Sequence, residues 1–584
     1  MYYPKLKPLR SRRVTTDRFR GYEHRLRIPD GAFFNTENLC GDQYPLLSSR
    51  RPRGLVANLE DPGGLLEKDA PCWVADGTLY VNGYATALTG LSPGEKQLVS
   101  MGANVLVFPD KVYYNTADPT DFGSMEASYT TLGTVTYTPC DVDGKPYTIT
   151  STGAREPTAP ENGEIWIDTA DGGTVYRQWS QVSLLWVEIE TVYTRIGFTS
   201  RGEIPRLFRQ YDGVSVSGSQ KEELNGEKIL YALGGDENTD DYVVVTGLLR
   251  EANTDEERQL KLERRLPPMD YVCECQNRLW GCFYGSDGEK NLNEIYCSAL
   301  GDFKNFRQYL GLSTDSWTAS VGSDGPWTGA VNYLGTPCLF KESRIHRVSV
   351  SAAGAHRLEE TVCRGVQRGS HKSLCVVGET LLYKSRTDVC AWQGGFPQSV
   401  SGALGEESCY EAAAGSIGEK YYISMRNAAG AWSLYVYDLG KGLWYREDGL
   451  HALCFARCGD SLYCIDAETG ALWDLQGAAG EREARFSWLA ETGVQSYETA
   501  DRKYLSRFDV KLQLARGGSM RVWLNYDSGE DWLPAGEIEG RGLETVLLPV
   551  RPRRCDHLRL RLEGEGELRL FSITRTLRKG SDLP

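Results

Sequence analysis

The chain has 584 residues, a formal net charge of -14, 25% charged residues and 11% aromatic residues. That composition excludes a disordered chain, and the acidic balance excludes a surface that coats nucleic acid, which needs clustered positive charge to release counterions. No stretch approaches the roughly 18 apolar residues of a membrane-spanning helix, and 63 glycines with 32 tyrosines and 14 tryptophans favour many short strands joined by tight turns.

Residues 1–54 read as an extended arm. They hold twelve lysines and arginines against five acids, a local excess of +7 that runs against the rest of the chain. The arm has no helical period and too few periodic apolar residues to build a core, so it must lie on another surface. In NLCGDQYPLLSSRRPRG (38–54), Tyr44, Leu46 and Leu47 are placed to anchor it on the domain that follows. Arg50, Arg51 and Arg53 then face either an acidic partner or the chain's own acidic surface, and both readings stay open. The opening MYYPKLKPLRSRR lacks the apolar core of a secretory signal. This predicts folding in a reducing cytoplasm with mostly free thiols.

From residue 55 a hairpin grammar repeats: an apolar strand, a turn at Gly, Asp or Asn, then a strand with an aromatic near its start. Examples are CWVADGTLYVNG (72–83), VCECQNRLWGCFYG (272–285) and CFARCGDSLYCIDAETGALWDL (454–475). Copies recur about 30–60 residues apart, the mark of radial repeats with one small sheet per blade. The expected fold is all-β: a divergent six- or seven-bladed β-propeller over 55–116 and 198–479. A small inserted β-domain over 117–197 interrupts it. The insertion holds PTAPENGEIWIDTADGGTVYRQWSQVSLLWVEI (157–189), which reads as three strands with Trp166, Trp179 and Trp186 as a small core. The same tryptophans could instead form a glycan-stacking platform. NTDEERQLKLERRLPP (253–268) reads as a helix, with acids leading and basic residues following. Beyond about residue 480 strands such as DHLRLRLEGEG (556–566) alternate with charges on one face, predicting a C-terminal β-sandwich over 480–584.

Chemistry is harder to find. Sixteen cysteines include Cys273, Cys275 and Cys282, and Cys454, Cys458 and Cys464, but neither set has paired C-x2-C spacing. Alternation puts Cys273 and Cys275 on one strand face, which suits core packing better than zinc. The six histidines are scattered singly, and there is no nucleophile elbow, P-loop or dinucleotide fingerprint. NYDSGEDW (525–532) matches an Asp-box turn at Asp527, Gly529 and Trp532. The expectation is a non-enzymatic chain with no catalytic residue, metal site or cofactor.

The arm FRGYEHRLRIPDGAFFNTENLCGDQYPLLSSRRPRG (19–54) resembles the opening of phage tail proteins. So do LPPMDYVCECQNRLWGC (266–282), EIYCSALGDFKNF (294–306), WTGAVNYLGTPCLFKESRIHRV (327–348) and GVQRGSHKSLCVVGETLLYKS (365–385). The order of arm, propeller and terminal sandwich is similar to the tail hub, or stabilisation, proteins and nozzle proteins of short-tailed phages. The resemblance implies a virion tail subunit made in the host cytoplasm, forming a hexameric ring around the DNA channel below portal and adaptor. Its partners would be copies of itself, portal, adaptor and other tail proteins, and DNA passing without sequence-specific binding. An acidic channel wall would let DNA slide without sticking. The alternatives are a tail-tip protein that binds host glycan and, less favoured, a propeller glycosidase.

Overall fold

The computed structural model describes residues 11–579 except 132, 256–258, 289, 352–353 and 498–501. Tight turns do the first shaping. Asp76 and Gly77 have φ of +45° and +63° between Ala70–Ala75 and Thr78–Val81. Such a pair matches the right-handed twist of its flanking strands. Alternation then buries Val74 and Leu79 beneath the hairpin.

Among the described residues, seven such antiparallel meanders follow one another as blades. Blades 1 to 6 span 62–85, 97–124, 271–320, 329–362, 375–399 and 409–446. Blade 7 takes its first three strands from 452–474 and its next from Gly54–Asn58, so a strand from the start of the chain closes the last blade. Six of the seven gaps between consecutive blades hold a core of their own, and the gap between blades 6 and 7 shares its core with the arm and the sandwich. Val74 and Leu79 of blade 1 meet Val105 and Val107 of blade 2. Cys273, Cys275, Trp280 and Cys282 of blade 3 meet Leu339 and Val348 of blade 4. Ile465 and Leu472 of blade 7 return to Leu65 and Trp73 of blade 1, completing a ring. All sixteen cysteines are free thiols and eleven are buried, so they act here as small core residues.

The insertion is larger than the sequence suggests. It leaves after blade 2 at Ala127–Thr130 and returns at Lys261–Arg264, so it occupies 127–264 rather than 117–197. Strands Tyr193–Gly197, Gly213–Ser217 and Tyr242–Thr246 pair with Val135–Cys140, with Lys261–Arg264 and with one another, which draws 198–264 out of the propeller. The two larger sheets share a core of Val135, Ile196, Val216, Val243 and Leu262. The expected helix over 253–268 is also corrected. Asn253–Asp255 and Lys261–Arg264 are strands, and residues 256–258 lie outside the described set. Leu260, Leu262 and Arg264 are all buried. That period of two overrides the helix-like order of charges.

The sandwich forms as expected from alternation: Leu558, Leu560 and Leu562 point inward, while Arg561 on the outer face donates to Glu491 at 2.8 Å. It does not stand alone. Ser11–Thr16 and Leu47–Ser49 pair with Leu568–Lys579 in one sheet, and Asn35–Glu37 pairs with Ser487–Glu491 in the other. The arm is therefore part of the sandwich. It also crosses blade 6, where the Tyr22 N–H donates to the Trp444 carbonyl at 2.6 Å. Gly21, at φ +72°, permits that approach, because a Cβ there would lie 2.3 Å from the same carbonyl. One core runs through Phe19, Phe33 and Leu47 of the arm, Tyr422 and Leu434 of blade 6, Leu462 of blade 7, and Leu512 and Leu560 of the sandwich.

Removal of residues 1–49 should therefore unfold the sandwich instead of releasing an intact propeller and sandwich. The expected outcome is a marked loss of near-ultraviolet circular dichroism and new protease sensitivity beyond residue 480. An unchanged spectrum and digestion pattern would contradict it.

Candidate functional site

The expected arm residues separate into two groups. Arg50 and Arg53 are only 6% and 4% exposed. A guanidinium at that depth needs acidic partners, and the chain supplies them. Arg50 binds Glu483 through both terminal nitrogens, at 2.7 and 3.0 Å, and donates from Nε to Asn38 Oδ1 at 2.7 Å. Its face lies 3.9 Å from the Phe486 ring. Arg53 bridges Glu447 and Asp448, each at 2.8 Å, at the end of blade 6. Burial opposes ionisation of Asp448, but Arg53 and Arg50 outweigh it and hold the carboxyl below its usual range. Arg50 and Arg53 thus face the chain's own acids and are not offered to a partner. Arg51 is exposed, and Tyr44 is partly exposed beside Arg18.

Arg51 lies on the rim of a cleft of about 770 Å³ between the arm, blade 7 and the sandwich. Arg482, Arg485, Arg516 and Arg569 line the same cleft, with Arg50 and Glu483 at its floor. Sequence reading missed this cluster because it joins segments more than 400 residues apart.

A second cluster occupies the propeller axis. A short 3-10 turn, His371–Ser373, precedes blade 5. His371 and Lys372 bind opposite oxygens of Glu95, which precedes blade 2, at 3.1 and 2.9 Å. The ring of Tyr271 in blade 3 lies 5.1 Å from His371, and Lys372 also donates to the Leu453 carbonyl of blade 7 at 2.8 Å. Blades 2 and 5 are not neighbours, so this clasp crosses the axis. Burial opposes the Glu95 charge, but hydrogen bonds and charge from His371 and Lys372 lower its pKa to about 2. Nothing in the local sequence marks these residues, which are 276 positions apart.

The three insertion tryptophans do come together, but not as the expected core. That core is Ile165, Ile167 and Tyr176 on the opposite face of the outermost sheet. Trp179 pairs with Trp186 across Val175–Ser180 and Leu185–Glu188. Trp186 packs edge-on to Trp166 and to Trp179, at 66° and 61°. Trp166 is buried and donates to the Gly153 carbonyl, leaving Trp179 and Trp186 partly exposed. The Asp-box match is a pinned turn. Buried Asn525 donates to the carbonyls of Gly529 and Asp531, and Asp527 accepts from the Asp556 N–H at 2.7 Å. Among the described residues, no three His, Cys, Asp or Glu side chains are grouped to hold a metal ion.

No family model and no curated protein matches the chain. Solved structures with some likeness include an exo-β-1,3-galactanase from Phanerochaete chrysosporium, at 7% identity and TM-score 0.23, covering 52% of this chain and 94% of that one. An engineered GH43 glycoside hydrolase matches at 9% identity and TM-score 0.19, covering 53% of this chain and 97% of that one. The extracellular domain of a B. thetaiotaomicron protein described as a hybrid two-component system matches at 9% identity and TM-score 0.24, covering 92% of this chain and 98% of that one. Two of these three are hydrolases, so the expectation of a non-enzymatic chain is corrected: missing sequence motifs do not exclude catalysis from such a chain. At these scores the likenesses carry no substrate or residue role to it.

Two outcomes follow from the clusters. Arg53→Ala leaves Glu447 and Asp448 only the longer Arg50 contacts, at 3.9 and 3.8 Å, and should cost about 3–5 kcal/mol in urea unfolding. A loss below about 1 kcal/mol, the range of a surface ion pair, would contradict the network. Glu95 has a lowered folded pKa, so its clasp stabilises the fold above about pH 4.5 and the effect fades toward about pH 2. The stability gap between wild type and Glu95→Gln should be full at neutral pH and shrink across that window. A gap independent of pH would contradict it.

Proposed function

We propose that the chain is a ring-forming subunit of a bacteriophage tail, at the hub or nozzle station. The order of arm, propeller and sandwich supports this reading, and the observation that carries it is their fusion through one core and the buried arginines. A tail conduit needs stiff wall segments, and a closed propeller braced by a sandwich is one. The clasp from Glu95 to His371 and Lys372 crosses the axis of the single propeller. On this reading, DNA runs between subunits, past walls whose net charge of -14 per chain disfavours sticking. The neighbours along the tail are a portal or adaptor ring above and further tail proteins below, and contact with DNA is not sequence-specific.

Electron microscopy and native mass measurement of the purified chain, alone and with its portal and adaptor, test the reading. The expected result is a closed ring with a central opening. A chain that stays monomeric in both conditions would contradict it.

A further inference from the structure

The charge of this chain is split in space. The insertion, 127–264, has 13 lysines and arginines against 23 acids, a net of -10. The arm and sandwich, 1–54 and 480–584, have 30 against 22, a net of +8. The insertion leaves the ring between blades 2 and 3, whereas the sandwich shares its core with blades 6 and 7. In a ring of seven these positions lie on opposite sides. Each copy therefore presents an acidic body on one flank and a basic one on the other.

Both flanks have a specific feature. On the insertion, the hairpin between Val175–Ser180 and Leu185–Glu188 ends in Val182, Leu184 and Leu185, which are 97%, 62% and 63% exposed. Glu188 and Glu190 follow and are exposed. Three large apolar side chains on one tip, backed by acids, are a poor surface for an isolated protein. On the other flank is the cleft of about 770 Å³, in the size range of sites that enclose a compact ligand. Its walls include Pro52, Ala484, Phe486 and Ala515, and its rim carries Arg51, Arg482, Arg485, Arg516 and Arg569. Among the described residues, Arg485 is bonded to the Gly517 carbonyl and Arg569 stands 3.9 Å from Glu567. Rim forks of this kind suit carboxylates.

We propose that the hairpin at 182–190 of one copy seats in the arginine-rimmed cleft of the next, with the leucines of its tip against the apolar walls and Glu188 and Glu190, on the strand behind the tip, at the rim. This rests on the ring reading above and names its contact. A peptide fits better than a nucleic acid strand. The cleft's single aromatic, Phe486, is already covered by Arg50, so no platform is left for base stacking. The contact joins two different surfaces, and repetition of such a contact gives a ring when the rotation closes.

The test is sedimentation velocity of the full chain over a concentration series at low and high salt. The variants are Arg482→Glu/Arg516→Glu, Glu188→Arg/Glu190→Arg, Leu184→Ser/Leu185→Ser, and the four-site charge swap. Arg482 and Arg516 are exposed rim positions, Leu184 and Leu185 exposed tip positions, and Glu188 and Glu190 exposed positions behind the tip, and circular dichroism checks that each variant is folded. Wild type should self-associate, each double variant should weaken association at least about tenfold, and the charge swap should recover most of it. Undiminished association in Arg482→Glu/Arg516→Glu would overturn the seat while leaving the ring reading intact. A wild-type chain that never associates would overturn both. Binding of a labelled single-stranded oligonucleotide that is lost in Arg482→Glu/Arg516→Glu would assign the cleft to phosphate and overturn the peptide seat.

Discussion

Two buried guanidiniums hold the ends of this chain together. Arg50 and Arg53 reach depths where an unpaired charge would be very costly. Their partners come from distant segments: Glu447 and Asp448 at the end of blade 6, and Glu483 between blade 7 and the sandwich. The backbone joins in, since the Arg53 carbonyl accepts from the Glu483 N–H at 2.8 Å. Immediately after Arg53, Gly54–Asn58 enters blade 7 and closes the ring. The pairing that fixes the arm therefore also fixes where the propeller begins and where the sandwich starts. Apolar burial gives this junction its strength, but it is not directional. The ion pairs set which segments meet.

The same physics shapes the axis. Glu95, His371 and Lys372 pair across the ring, and Tyr271 packs beside them. Lys372 and the hydrogen bonds at this position make the centre of the blade ring a brace between non-adjacent blades. On the flanks of that ring, the acidic insertion leaves between blades 2 and 3 and the basic sandwich shares its core with blades 6 and 7.

Much of the fold was legible because it follows from short-range patterning. Turn pairs such as Asp76–Gly77 and alternation such as Leu558, Leu560 and Leu562 announce hairpins and a half-buried sheet. The insertion boundary was not legible, because Lys261–Arg264 finds its partners more than 40 residues upstream in Gly213–Ser217 and Ala127–Thr130. Its charge order even imitated a helix. The tryptophans illustrate a related limit. Their spacing showed that they would meet, but the side of the sheet they occupy depends on what covers it, and Ile165, Ile167 and Tyr176 took the inner face. For Arg50 and Arg53 a partner and the chain's own acids stayed equally open, because the sequence does not show that Glu447, Asp448 and Glu483 fold beneath them.

The most direct test of one continuous body is amide hydrogen exchange of the wild-type chain under native conditions. Residues 35–58, blade 7 and the sandwich strands should be protected to a similar degree and lose protection together as denaturant is raised. Rapid exchange of residues 35–58 against a protected propeller would contradict it, and would return those residues to the status of a free arm.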